Sequence, residues 1–93
     1  MDEFITAAEK TLAEQILDRL GDRDYMIRLD LETQSDLVVK AMQAGESEDR
    51  LNGRLWGMLD MLERLHLITF RENDILTRFF IDKQVDASRK NAA

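Results

Sequence analysis

Apolar residues recur along this chain in stripes three and four positions apart, with polar breaks only a residue or two long between the stripes. From about residue 3 to 20, Ile5, Ala8, Leu12, Ile16 and Leu20 share one stripe, and Glu9, Lys10, Glu14, Asp18 and Arg19 fall largely outside it. That spacing predicts an amphipathic helix. From 47 to 66, Leu51, Leu55, Met58, Leu62 and Leu65 step by four and three, the seam of helix-on-helix packing. Acidic Glu48 and Asp49 in its first turn and Arg64 and His66 in its last suit the helix dipole. From about 71 to 85, Ile75, Leu76, Phe79 and Phe80 gather on one side of a further helix.

Residues 22–44 carry two competing patterns. Leu37, Val38, Ala41 and Met42 read as the inward side of a helix over 36–44. Before them, Ile27, Leu29 and Leu31 alternate with Arg28, Asp30 and Glu32, which is the strand pattern. A strand over 25–31 needs a partner, and the chain offers only the short Leu67-Ile68-Thr69-Phe70. The helical reading is therefore preferred, with a break near Thr33–Ser35.

The breaks have recognisable chemistry. Gly21 and Gly45 each follow a periodic stretch, as C-terminal caps do. Asp22, Asp24 and Ser47 are N-cap types placed just after them. Thr69-Phe70-Arg71-Glu72 has the spacing of a capping box. Thr11-Leu12-Ala13-Glu14 has it too, but lies inside a periodic segment. The expected architecture is all-α: one small bundle of about four helices over 1–85, with a loose tail at 86–93 that is poor in apolar bulk.

Composition narrows the function. The 93 residues include 19 acids and 13 bases, for a net charge of −6, with no cysteine and no proline. Thiolate metal sites and cysteine nucleophiles are excluded. The longest uncharged run is six residues, Leu65–Phe70, far short of a membrane span. Met1-Asp2-Glu3-Phe4 is acidic where a secretory signal is basic, so the expected compartment is the cytoplasm.

His66 is the single histidine and has no histidine or cysteine companion, so it is expected to be a dipole-favoured helix end, with no catalytic or metal role. The acid pairs Asp22/Asp24 and Asp60/Glu63 sit among arginines at salt-bridge spacing. No glycine-rich phosphate loop is present. The expectation is a non-enzyme without cofactor or metal.

Charge is lopsided. Residues 1–50 hold 13 acids and 6 bases, net −7, whereas residues 51–93 hold 6 acids and 7 bases, net +1. The bases are dispersed, which disfavours nucleic-acid binding.

The far side of the 47–66 helix carries the candidate site. Trp56 lies about 130° from the leucine stripe on a helical wheel. Gly53, Gly57, Asp60 and Arg64 share that side, and Phe70 and Ile81 fall off their own stripes and extend it. Each mid-helix glycine costs about 1 kcal/mol relative to alanine. That cost is offset if another backbone approaches, either inside the bundle or in a complex, with Trp56 as anchor. The expected function is a small cytoplasmic protein-binding module (regulator, inhibitor or adaptor) that binds another protein or a second copy of itself. The alternatives are a DNA-associated helical transcriptional regulator and an acidic nucleic-acid mimic occupying a basic protein.

Overall fold

The computed structural model describes residues 5–92. Four helices follow one another: α1 (Ala7–Arg23), α2 (Tyr25–Gln43), α3 (Asp49–Arg64) and α4 (Phe70–Ala92). Among the described residues there is no strand, and the all-α bundle expected from the stripes is what forms.

Thr6 opens α1. Its hydroxyl accepts from the Glu9 N–H at 3.1 Å, and the Glu9 carboxylate accepts from the Thr6 N–H at 3.1 Å. This capping box was not singled out in the sequence. The one at Thr69 was, and it forms: the Thr69 N–H donates to Glu72 at 2.9 Å and the Glu72 N–H to the Thr69 hydroxyl at 3.1 Å. Thr11, by contrast, is inside α1 and donates its hydroxyl to the Ala7 carbonyl at 3.2 Å.

The buried side of α1 is Ala13, Ile16, Leu17 and Leu20, while Ala8 and Leu12 are exposed. The expected stripe was thus rotated for its first two turns. Gly21 does not end the helix. α1 continues to Arg23, and Arg28 of α2 lies over Gly21, where an added Cβ would come within 3.4 Å of the Arg28 Cδ. Asp24 alone links the two helices. Its N–H donates to the Leu20 carbonyl at 2.9 Å, and its side chain accepts from the Met26 N–H at 2.9 Å.

α2 is one unbroken helix, which corrects both the strand alternative at 25–31 and the break expected near 33–35. Leu31, Gln34, Ser35, Val38 and Ala41 form its buried face at helical spacing. Leu29 and Leu37 point outward and are exposed, and Leu29 completed the apparent alternation. Gln34 can be buried because its amide donates to the Leu51 carbonyl of α3 at 3.0 Å.

α2 and α3 end alike. Gly45 and His66 both take the left-handed conformation, with φ of 72° and 61°. The Gly45 N–H donates to Met42 at 3.1 Å and the Glu46 N–H to Ala41 at 2.9 Å. The His66 N–H donates to Glu63 and the Leu67 N–H to Leu62, both at 2.9 Å. Each is a Schellman cap. Ser47 does not cap α3; Glu48 holds that position, without a side-chain cap bond. α4 runs on to Ala92, so residues 86–92, expected as a loose tail, continue the helix.

The helices pack as neighbours in chain order, with α4 closing against α1. α2 and α4 also meet across the diagonal, and no close approach joins α1 to α3 among the described residues. The core gathers Ile16, Leu17 and Leu20 of α1, Leu31 of α2, Leu55, Leu59 and Leu62 of α3, and Ile75, Leu76, Phe79 and Phe80 of α4. Ile5 and Ile68, from the segments leading into α1 and α4, complete it. The Phe79 and Phe80 rings meet edge to face at 5.5 Å.

Candidate functional site

The side chains of α3 divide into sectors around the helix. Leu55, Leu59 and Leu62 face the core. Leu59 was absent from the expected seam, and Leu65, which was in it, is 60% exposed. The true inward direction is therefore turned toward Trp56 relative to the sequence reading. Trp56 consequently packs its ring partly against the core and is half-buried.

Trp56 sits on the side of α3 that meets α4. One turn before it, Asn52 and Gln84 exchange two amide bonds, at 3.3 and 3.0 Å. One turn after it, the Asn73 amide of α4 donates to Asp60 at 3.0 Å and to Glu63 at 2.8 Å, while its carbonyl oxygen accepts from the Thr77 hydroxyl at 3.2 Å. These pairs run α3 and α4 antiparallel and place Ile81, half-buried, near the level of Trp56.

Gly53 and Gly57 are exposed, and nothing lies within 4 Å of a Cβ added to either. Their cost is not offset by close packing inside the bundle. Arg64 is exposed on the same outer side, and Phe70, at the first position of α4, is 79% exposed. The structure thus puts Gly53, Gly57, Asp60 and Arg64 on the outside of α3, flanked by Trp56 and Ile81 toward α4. Phe70 lies at the far end, beyond the α3–α4 turn.

On the opposite flank of α3 is a feature the sequence reading missed. Ile27, Asp30 and Leu31 of α2 and Met58, Met61 and Leu62 of α3 line a groove of about 210 Å³. That volume is below the roughly 300–1,000 Å³ of small-molecule pockets, so it suits one or two inserted side chains. Of the lining residues Met61 is 53% exposed, and Met26, 51% exposed, stands one helical turn before Asp30 on α2. Leu65 shares the leucine spacing yet is exposed, whereas Met58 is partly buried against the core, as its spacing predicts, and lines the groove as well. The available clue was the pair Met58/Met61, three apart and straddling the edge of that stripe.

No family model, curated protein or solved structure matches the chain. The site therefore rests on its own geometry.

The groups with displaced pKa values lie on other sides of the bundle and are accounted for by ion pairs. The Arg78 guanidinium, helped by the Thr6 N–H, holds the Glu9 carboxyl down at about 2. Arg19 holds Glu72 below the usual carboxylate range. Arg28 is raised by hydrogen bonds to Glu32 and Asp18. A wider depression of about 560 Å³ lies over the α1–α2 junction, lined by Asp18, Gly21, Asp22, Tyr25 and Arg28. Its cation, Arg28, is already engaged by Glu14, Asp18 and Glu32. Among the described residues, no cluster of three metal-ligating side chains forms, and no helix is long and apolar enough to cross a membrane.

Proposed function

We propose that this chain is a non-catalytic protein-binding module of the cytoplasm, a regulator or adaptor that engages its partner through the outer surface of α3 and its flank against α2. The observation that carries this reading is the exposed apolar edge of the α2–α3 groove: Met61, more than half exposed, lines it with Ile27, Leu31, Met58 and Leu62, and the exposed Met26 and Leu65 lie one helical turn from the lining residues Asp30 and Met61. Isolated surface leucines are ordinary, whereas a grouped apolar patch with a groove marks an interaction surface. Methionine suits it, because its unbranched thioether adapts to irregular partners. Gly53 and Gly57 continue this surface around α3 and let a partner backbone approach closely.

The test compares proteins retained from source-cell extract by the wild type and by Met61→Lys. Met61 is more than half exposed, so the variant keeps its fold and melting temperature. A partner retained by the wild type and lost from Met61→Lys supports the reading. Identical retained proteins contradict it.

A further inference from the structure

Charge is distributed unevenly around the α2–α3 groove. Of the α3 acids, Asp49 lies in the first turn, and Asp60 and Glu63 turn toward α4, where both accept from the Asn73 amide; on the α2 wall of the groove stands Asp30. The α3 arginines Arg50, Arg54 and Arg64 are exposed and make no ion pair among the described residues. This contrasts with Arg19, Arg28 and Arg78, each of which is held by one or more carboxylates. In a chain of net charge −6, α3 thus keeps three unpaired guanidinium groups on its outer side, and the α3 edge of the groove is the edge toward them, whereas Asp30 stands on the α2 wall.

We infer that the groove receives an acidic amphipathic helix of a partner protein. This inference rests on the reading of the groove as a docking surface. Leu51, Arg54, Met58, Met61 and Leu65 recur at spacings of three and four along α3, over a rise of about 21 Å, the length of nearly four helical turns. A helix laid along this row presents apolar side chains at i, i+3 or i+4, and i+7 to Met58, Met61 and Ile27. Its carboxylates on the α3 side then meet Arg50, Arg54 and Arg64. Arginine binds carboxylates through a planar fork, so these contacts also set the helix's position along the row.

The test uses the full chain with isotopically labelled methionine methyl groups and two synthetic peptides of about 18 residues, five helical turns. The peptides share leucines at i, i+3, i+4 and i+7 and differ only in carrying glutamate or lysine at the flanking positions. The expected result is that the glutamate peptide shifts the methyl signals of Met26, Met58 and Met61. Met42, about 16 Å along α2 from Leu31, stays in place. The glutamate peptide binds about tenfold more tightly than the lysine peptide, the effect of three exposed ion pairs, and the margin shrinks with salt. Arg54→Glu reduces that margin.

Equal or tighter binding of the lysine peptide overturns the acidic-partner inference and leaves the docking surface standing. If neither peptide moves Met58 or Met61, both fall. If those methyl signals move with protein concentration alone, the occupant is a second copy, which also overturns the inference.

Discussion

Glu9 and Arg78 lie 69 residues apart and are joined by two N–H···O bonds, of 2.9 and 2.6 Å. Glu9 is also the capping-box glutamate of α1. The α4 capping-box glutamate, Glu72, is held in turn by Arg19 of α1, at 2.8 and 3.0 Å. Each of these two helix starts is thereby tied to the body of the facing helix. One carboxylate satisfies an orphan backbone N–H and a guanidinium together. Glu9→Gln keeps a capping side chain and loses the charged pair, whereas Glu9→Ala loses both. Thermal melting should therefore rank wild type above Glu9→Gln and Glu9→Ala lowest.

The same pair sets a pH dependence. The Glu9 carboxyl titrates near 2 in the folded chain instead of 4.5. A depressed carboxylate contributes its stability in full above the unfolded value and loses it as pH falls through the folded value. The melting difference between wild type and Glu9→Gln should be constant above about pH 5 and close between pH 4.5 and 2. A difference unchanged at pH 2 would show that the ion pair is not its source.

His66 occupies a backbone conformation that favours glycine, as Gly45 does at the equivalent place in α2. The left-handed region costs a non-glycine residue about 1 kcal/mol. His66→Gly should raise stability by about that amount, roughly 4–8 °C in a chain of this size. Gly45→Ala should lower it by a similar amount. Both are read by thermal denaturation followed by circular dichroism.

Gly57 tests the outer side of α3. Gly57 is exposed and nothing stands within 4 Å of an added Cβ, so a side chain at this position starts out in open space. Gly57→Leu should leave the fold intact and gain up to about 1 kcal/mol from helix propensity. A loss of stability would mean that the side chain meets something inside the bundle.

Much of this fold is legible along the chain wherever apolar spacing and charge agree. Ile75, Leu76, Phe79 and Phe80 were read as one face, and all four are buried. α2 was harder to read. Its exposed Leu29 imitates a strand pattern, and its buried Gln34 and Ser35 imitate a break. Gln34 is tolerated inside because a carbonyl of α3 accepts from it, and that partner is not part of the local pattern. The candidate site divides in the same way. The outward direction of Gly53, Gly57 and Arg64 follows from the wheel alone. The exposure of Met61 and Leu65 depends on how α2 lies against α3, which no single-helix periodicity contains.

The most direct test of the central claim is site-specific photo-crosslinking in the source cells. A photoreactive phenylalanine derivative replaces Met61 at the groove in one variant. In the other it replaces Thr11, exposed on α1, a helix with no close approach to α3. The docking surface predicts a discrete adduct of the chain with another protein from position 61 and none from position 11. No adduct from position 61, or the same adduct from both positions, would contradict it.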